Sequence, residues 1–183
     1  KRELATGREE VLVSPASLNI TATFAPDGKS ITYSNAQEGN SDIYQVELDS
    51  RSAKQLTSHN SADLSPSWSP DGRHLAFTSD RGGRPQIYIM DADGSNVRRL
   101  TYDGDYNAAP AWSPKGEWIV YVCRMPNEGF KLCRISPNGE QRKQITSGQS
   151  IDDSPSWAPN GRHIVFSSIR RGESQLYIVT SEG

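Results

Sequence analysis

One pattern governs what this chain can fold into. An aromatic residue followed by a small residue, Pro, a polar residue and Gly returns four times at a spacing of about 44 residues, and such a period marks an array of supersecondary units. The copies are Phe24-Ala25-Pro26-Asp27-Gly28, Trp68-Ser69-Pro70-Asp71-Gly72, Trp112-Ser113-Pro114-Lys115-Gly116 and Trp157-Ala158-Pro159-Asn160-Gly161. A second marker, apolar then Tyr, follows at Ile43-Tyr44, Ile87-Tyr88 and Leu176-Tyr177, with Leu132-Cys133 in the third copy. A third marker closes each unit at Leu56-Thr57, Leu100-Thr101 and Ile145-Thr146, and Leu12 keeps the same distance from Phe24.

Within one unit the signals are short β runs divided by turn chemistry. Pro70-Asp71-Gly72 is a turn in which Pro presets φ and Gly supplies a positive φ. His74 to Ser79, Gln86 to Met90 and Val97 to Thr101 are strand-like, and with Ser65 to Trp68 they make four strands per unit. Four strands in about 44 residues is the blade of a β-propeller. A β-sandwich also carries short strands, but it does not repeat in phase at this period. The sequence therefore predicts an all-β propeller of four-stranded antiparallel blades at approximately 14–57, 58–101, 102–146 and 147–183. Residues 1–13 are expected to form an outer strand of a neighbouring or closing blade. The two ends are complementary and could zip together into a four-bladed ring. A window of about four blades from a larger ring is expected instead, since a natural chain caps the exposed edges of an incomplete array. Self-association of chains to complete a ring is a further alternative.

Composition narrows the partners. Among 183 residues, 20 Lys and Arg face 22 Asp and Glu, and 34% are apolar, which fits one globular domain of ordinary charge. A net charge of −2 gives no basic footprint, so nucleic acid is not an expected partner. The apolar stretches, such as Trp118 to Cys123, are strand-sized and fall short of the roughly 18 residues of a spanning helix, so no membrane insertion is expected. The first residues, Lys1-Arg2-Glu3-Leu4, show no apolar segment, and any secretory signal is expected upstream or removed. Cys123 and Cys133 fall on adjacent strands of the third unit, where a bridge forms if the register brings them together. One bridge would suit an oxidising compartment.

The sequence offers little for catalysis, and no catalytic, cofactor or metal residue is assigned. His74 and His163 occupy one repeat position and read as structural, and the usual hydrolase and nucleotide-binding motifs are absent. The strict phase of Phe24, Trp68, Trp112 and Trp157 assigns them to blade packing. A different column stands five positions before each anchor: Asn19, Asp63, Asn107 and Asp152. These either cap the turn into the first strand or face the channel mouth as a hydrogen-bonding rim. Propeller geometry also gathers the loops that enter the first strand and the hairpins between the second and third strands on one rim. That rim collects His59, Tyr106 and Asp153 from the first set, and Arg81, Arg84, Phe130, Arg170 and Arg171 from the second. These loops differ in type between units while the strands repeat, as expected for a binding surface. The candidate partner-binding residues are thus His59, Asp63, Arg81, Arg84, Tyr106, Asn107, Phe130, Asp152, Asp153, Arg170 and Arg171.

The run Ser65-Pro66-Ser67-Trp68-Ser69-Pro70-Asp71-Gly72-Arg73-His74-Leu75-Ala76-Phe77-Thr78-Ser79-Asp80-Arg81, with Arg84-Pro85-Gln86-Ile87-Tyr88, resembles the propeller repeats of the TolB family. That family comprises periplasmic proteins of the Tol-Pal cell-envelope system. The resemblance implies a six-bladed propeller beside a smaller α/β domain, a periplasmic location, and a non-enzymatic scaffold that binds the peptidoglycan-associated lipoprotein, Pal, or other envelope proteins. The α/β domain is not in this sequence. Similar repeats occur in prolyl-oligopeptidase-like serine peptidases, so the rival expectation is a substrate-gating propeller whose catalytic domain lies elsewhere.

Overall fold

A computed structural model describes residues 9–13, 18–37 and 39–183. Among the described residues, fifteen strands fall into four antiparallel sheets, each a meander in chain order. The first blade is β1 (Leu18–Phe24), β2 (Ser30–Gln37), β3 (Asn40–Glu47) and β4 (Ala53–Gln55). The second is β5 (Asp63–Trp68), β6 (His74–Ser79), β7 (Gln86–Asp91) and β8 (Arg98–Arg99). The third is β9 (Asn107–Trp112), β10 (Ile119–Met125), β11 (Gly129–Ile135) and β12 (Arg142–Gln144). The fourth has three strands: β13 (Ile151–Trp157), β14 (His163–Arg170) and β15 (Glu173–Thr180). Inter-blade contacts run from first to second, second to third and third to fourth, which makes the molecule an arc of propeller blades.

Each element of the repeat has a physical task. The motif after the aromatic anchor closes a turn twice over. Ser69 N donates to His74 O and Gly72 N to Ser69 O, both at 2.9 Å, and the same pair of bonds recurs in all four blades. The Ser69 hydroxyl accepts from His74 N and donates to Asp71 Oδ1, which in turn accepts from Arg73 N. The two hydrogen bonds to Asp71, that from Ser69 foremost and then that from Arg73 N, hold its carboxyl below the ordinary carboxylate range. The threonine that ends each unit bonds the third strand: Thr57, Thr101 and Thr146 Oγ1 accept from Ile43, Ile87 and Leu132 N, each at 2.9 Å.

The inner strands share a second device, a bulge three residues before the anchor. Thr21, Ser65, Ala109 and Ser154 all take positive φ, between 51° and 55°, where the register of the first strand slips. Pro66, Pro110 and Pro155 follow in three blades, and a bulge is a position where the missing donor costs no ladder bond. The bulge turns its own N–H toward the preceding blade. Ser65 N donates to the hydroxyls of Thr21 (3.3 Å) and Ser34 (3.2 Å), and Ala109 N to Thr78 Oγ1 (3.0 Å). In the third blade that position is Val122, which has no acceptor, and Ser154 N bonds the Asp153 carboxylate instead.

The core lies between blades. Ile43, Leu56, Leu75, Phe77, Tyr88 and Met90 join the first and second, and corresponding clusters fill the next two junctions. Trp68, Trp112 and Trp157 pack against these clusters, as their periodicity predicts. Trp68 Nε1 reaches Thr32 Oγ1 and Trp157 Nε1 reaches Ala111 O in the preceding blade, whereas Trp112 Nε1 bonds Gly116 O in its own turn. Phe24, on the outer face of the first blade, is 62% exposed. Cys123 and Cys133 are disulfide-bonded across β10 and β11, with Cα atoms 5.8 Å apart. The register sets Cys123 opposite Lys131 and Tyr121 opposite Cys133, so the bridge runs diagonally on one face instead of between directly paired residues.

Candidate functional site

The rim is built by a simple rule of contact: the loop that enters one blade rests on the hairpin between the second and third strands of the blade before it. Asn40 Nδ2 donates to His59 O at 2.6 Å, Arg84 meets Asp105 at 3.1 Å, and Gln149 Nε2 meets Asn127 O at 3.5 Å. Three blade junctions thus present the same pair of segments side by side. Their side chains differ at each junction, which gives the rim a direction and an identity that the strands lack.

At the junction of the second and third blades the rim is ionic. The Asp105 carboxylate lies between Arg84 and Arg124, at 3.1 and 3.5 Å, beside a depression of about 560 Å³ lined by Gly104, Met125, Pro126 and Asn127. At the next junction it is aromatic. Tyr106 meets Phe130 edge to face, ring centroids 5.0 Å apart at 70°, and both pack against the cluster beneath. Partial burial pushes the Tyr106 phenol up from its ordinary range, and the nearby Asp153 carboxylate pushes the same way. Asp153 itself is exposed. On the fourth blade Arg170 lies over the Tyr177 ring at 3.8 Å and bonds Ser168 Oγ through Nε, while Arg171 is exposed in the hairpin turn at φ 54°.

The remaining candidates lie beneath the rim, and the reading of them as an open binding surface is corrected here. Asp63, Asn107 and Asp152 are 0%, 1% and 0% exposed. Arg81 is drawn inward with them: its guanidinium grips both oxygens of Asp63, at 2.8 and 3.1 Å, and lies over the rings of Phe77 and Tyr88. A buried carboxylate costs several kcal/mol unless it is paired, so Arg81 is held to Asp63 by necessity. Asn107 donates to Gln86 Oε1 of the preceding blade and to Asp103 O, each at 2.8 Å. Asp152 accepts from Ser168 Oγ at 2.6 Å and faces the fully buried Lys131 ammonium of the preceding blade at 3.8 Å. Lys131 also donates to the carbonyl and hydroxyl of Ser150. Asn107 and Asp152 therefore join blades, whereas Asp63 is paired within its own.

The partners of that column were missed by sequence reasoning. Asp42, Gln86, Lys131 and Gln175 share one position, immediately before the apolar residue of the second marker. The side chains of Asp42, Gln86 and Lys131 face the next blade, a fact invisible until the register is known. Burial first, and then repulsion from Asp63, raise the Asp42 carboxyl above its ordinary range, against hydrogen bonds from Thr57, Gln55 and Asn40 that pull it down. The turns at the opposite end of the strands frame a second opening, a cleft of about 520 Å³ lined by Trp68, Trp112 and Trp157 among prolines and small residues. The tryptophans thus combine packing with a half-exposed face.

A blade array with repeated strands and a rim of differing loops defines a β-propeller. Comparison with known proteins makes the assignment specific. The chain matches the TolB beta propeller domain over residues 2–183 and belongs to that family. The solved structure of TolB from Acinetobacter baumannii superposes with a TM-score of 0.86 at 35% identity, covering 100% of this chain and 45% of that one. A putative TolB from Agrobacterium tumefaciens gives 0.79 at 25% identity, over 89% of this chain and 61% of the other. The Tol-Pal system protein TolB of Gluconobacter oxydans is 39% identical over 58 residues, 32% of this chain and 13% of its own length. The chain thus spans less than two thirds of each of these relatives. A puromycin hydrolase shares the architecture alone, with a TM-score of 0.73 at 13% identity.

Proposed function

We propose that this chain is a non-enzymatic protein-binding scaffold of the Tol-Pal cell-envelope system, working in the periplasm. The observation that carries the reading is the TolB-family match along nearly the whole chain, joined to a rim whose loops vary while the strands repeat. Its partner is a peptidoglycan-associated lipoprotein or another envelope protein. The exposed rim residues His59, Arg84, Asp153, Arg170 and Arg171, with the Tyr106–Phe130 pair, make the contact, since aromatic and arginine side chains dominate interface energetics. The disulfide supports the location, because such bridges persist in oxidising compartments. The gating propeller of a serine peptidase takes second place, since the hydrolase neighbour supports the fold alone.

The test is capture from a detergent-solubilised envelope extract with the folded chain as bait. Recovery of a Pal-type lipoprotein, lost when His59, Arg84 and Arg170 are all changed to Ala, is the expected result. Equal recovery by the triple variant would move the contact off the rim.

A further inference from the structure

The ionic junction on the rim differs in kind from the ion pairs beneath it. Arg84 Nη1 and Arg124 Nη1 end on one oxygen of Asp105, at 3.1 and 3.5 Å, and the three side chains are 66%, 58% and 41% exposed. The Arg81–Asp63 pair below is 16% and 0% exposed and satisfies a buried charge. An ion pair in water contributes little to stability, so packing does not account for a triad this open. The triad also stands between the second and third blades, each of which has four strands and a blade on either side, so its surroundings are those of a complete junction.

Charge and donor count define what the triad lacks. A guanidinium carries five N–H donors in a planar fork that suits a carboxylate. Each of these two reaches Asp105 through a single nitrogen, and among the described residues neither meets another carboxylate. Two arginines and one aspartate leave a single positive charge. The neighbouring pair, Arg142 Nη1 with Asp103 Oδ2 at 3.9 Å, is neutral by itself. Glu128, in the adjoining hairpin, is engaged with Gly148 N and Gln144 Nε2 at the next junction. Asp105 and Arg124 open directly on the depression of about 560 Å³, which Met125 and Pro126 also line. Met is a flexible, polarizable side chain that adapts to varied apolar groups.

We propose that this junction receives one carboxylate of a partner's peptide segment: an Asp or Glu side chain takes the open forks of Arg84 and Arg124, while an apolar neighbour in the same segment enters the depression against Met125. The proposal rests on the reading of the rim as a protein-binding surface and gives that surface its chemistry. Asp105 is the positioning residue. It holds two like charges side by side before the ligand arrives, and the ligand carboxylate completes an alternating set of two cations and two anions. The single positive charge also selects between anions. A carboxylate brings one negative charge and neutralises the site, whereas a phosphoryl group brings about −1.5 to −2 at neutral pH and meets Asp105 as well. The site therefore favours carboxylates over phosphates.

Titration of the isotope-labelled chain followed by amide NMR shifts tests this. The probe is a blocked peptide, Gly-Ser-Leu-Glu-Leu-Ser-Gly, beside its counterpart with Gln for Glu and beside inorganic phosphate. The Glu peptide is expected to shift the amides of Gly104, Met125 and Gly129 saturably and to bind at least tenfold more tightly than either control. Arg124→Gln should weaken the Glu peptide at least tenfold with unchanged circular dichroism. Asp105→Asn leaves two uncompensated guanidiniums and should raise phosphate affinity at least tenfold, a change of selectivity that a loss of fold cannot produce. Equal binding of the Glu and Gln peptides, or none, overturns the carboxylate site, and phosphate bound by the wild type as tightly as the Glu peptide overturns its selectivity. Binding of the Glu peptide where no lipoprotein is captured keeps this site and removes only the partner named above, and capture of the lipoprotein without peptide binding does the reverse.

Discussion

At the scale of single residues the molecule depends on polar groups satisfied from one blade to the next. Thr78 is the sharpest example, since its hydroxyl is the acceptor for a bulge N–H that has left its own sheet. Thr78→Val keeps the shape and removes the acceptor, and a buried amide left unpaired costs about 1–3 kcal/mol. Urea denaturation should show a loss of that size, and an unchanged midpoint would show that water replaces the hydroxyl. Trp112→Ala should cost about 3 kcal/mol, the lower end for a large aromatic because the ring is only half-buried. Asp42 gives a pH signature. Its carboxyl is raised in the folded state, so the native protein binds a proton more readily there than the unfolded chain does. The stability from the protonated form is complete below the ordinary carboxylate pKa and is lost as pH rises through the folded value. The melting temperature of Asp42→Asn relative to wild type should therefore be higher at pH 7 than at pH 4. A difference independent of pH would mean that Asp42 titrates normally.

At the scale of elements, the strands and turns were legible because each rests on local chemistry: Pro and Gly in the turn, apolar runs in the middle strands, a fixed interval between them. The outer strands shrink to two or three residues, as in Arg98–Arg99, since only their first bonds to the third strand are made. The bulge at Ser65 was not legible, because Ser at φ 55° leaves no mark in composition. The disulfide lay between the two cases. Two cysteines on adjacent strands announced it, and only the register showed that the link is diagonal. With 10 residues of separation, the bridge restricts a short loop, worth about 2–3 kcal/mol by chain entropy. Cys123→Ala with Cys133→Ala should lose that much in denaturant, and the wild type should lose a similar amount in reductant.

At the scale of the whole molecule, the sequence showed the propeller and the loops of its rim, but it misjudged depth. Periodicity located Asp63, Asn107 and Asp152 on the innermost strand, where they could either cap the turn into the strand or face the channel mouth. The pleat and the bulge turn Asn107 and Asp152 sideways instead, onto Gln86 and Lys131 of the preceding blade, while Asp63 is held by Arg81 of its own, so the column is buried packing. What remains for a partner is the layer above it, where side chains such as Arg84, at 66% exposure, stand in water. The two layers separate in one measurement: calorimetric titration of a soluble Pal domain into the folded chain, with melting temperature recorded for the same variants. The triple change of His59, Arg84 and Arg170 to Ala should leave melting within a few degrees and weaken binding at least tenfold, whereas Asn107→Ala should lower melting and, in the molecules still folded, bind normally. Full affinity in the triple variant would contradict the assignment of the rim as the binding surface.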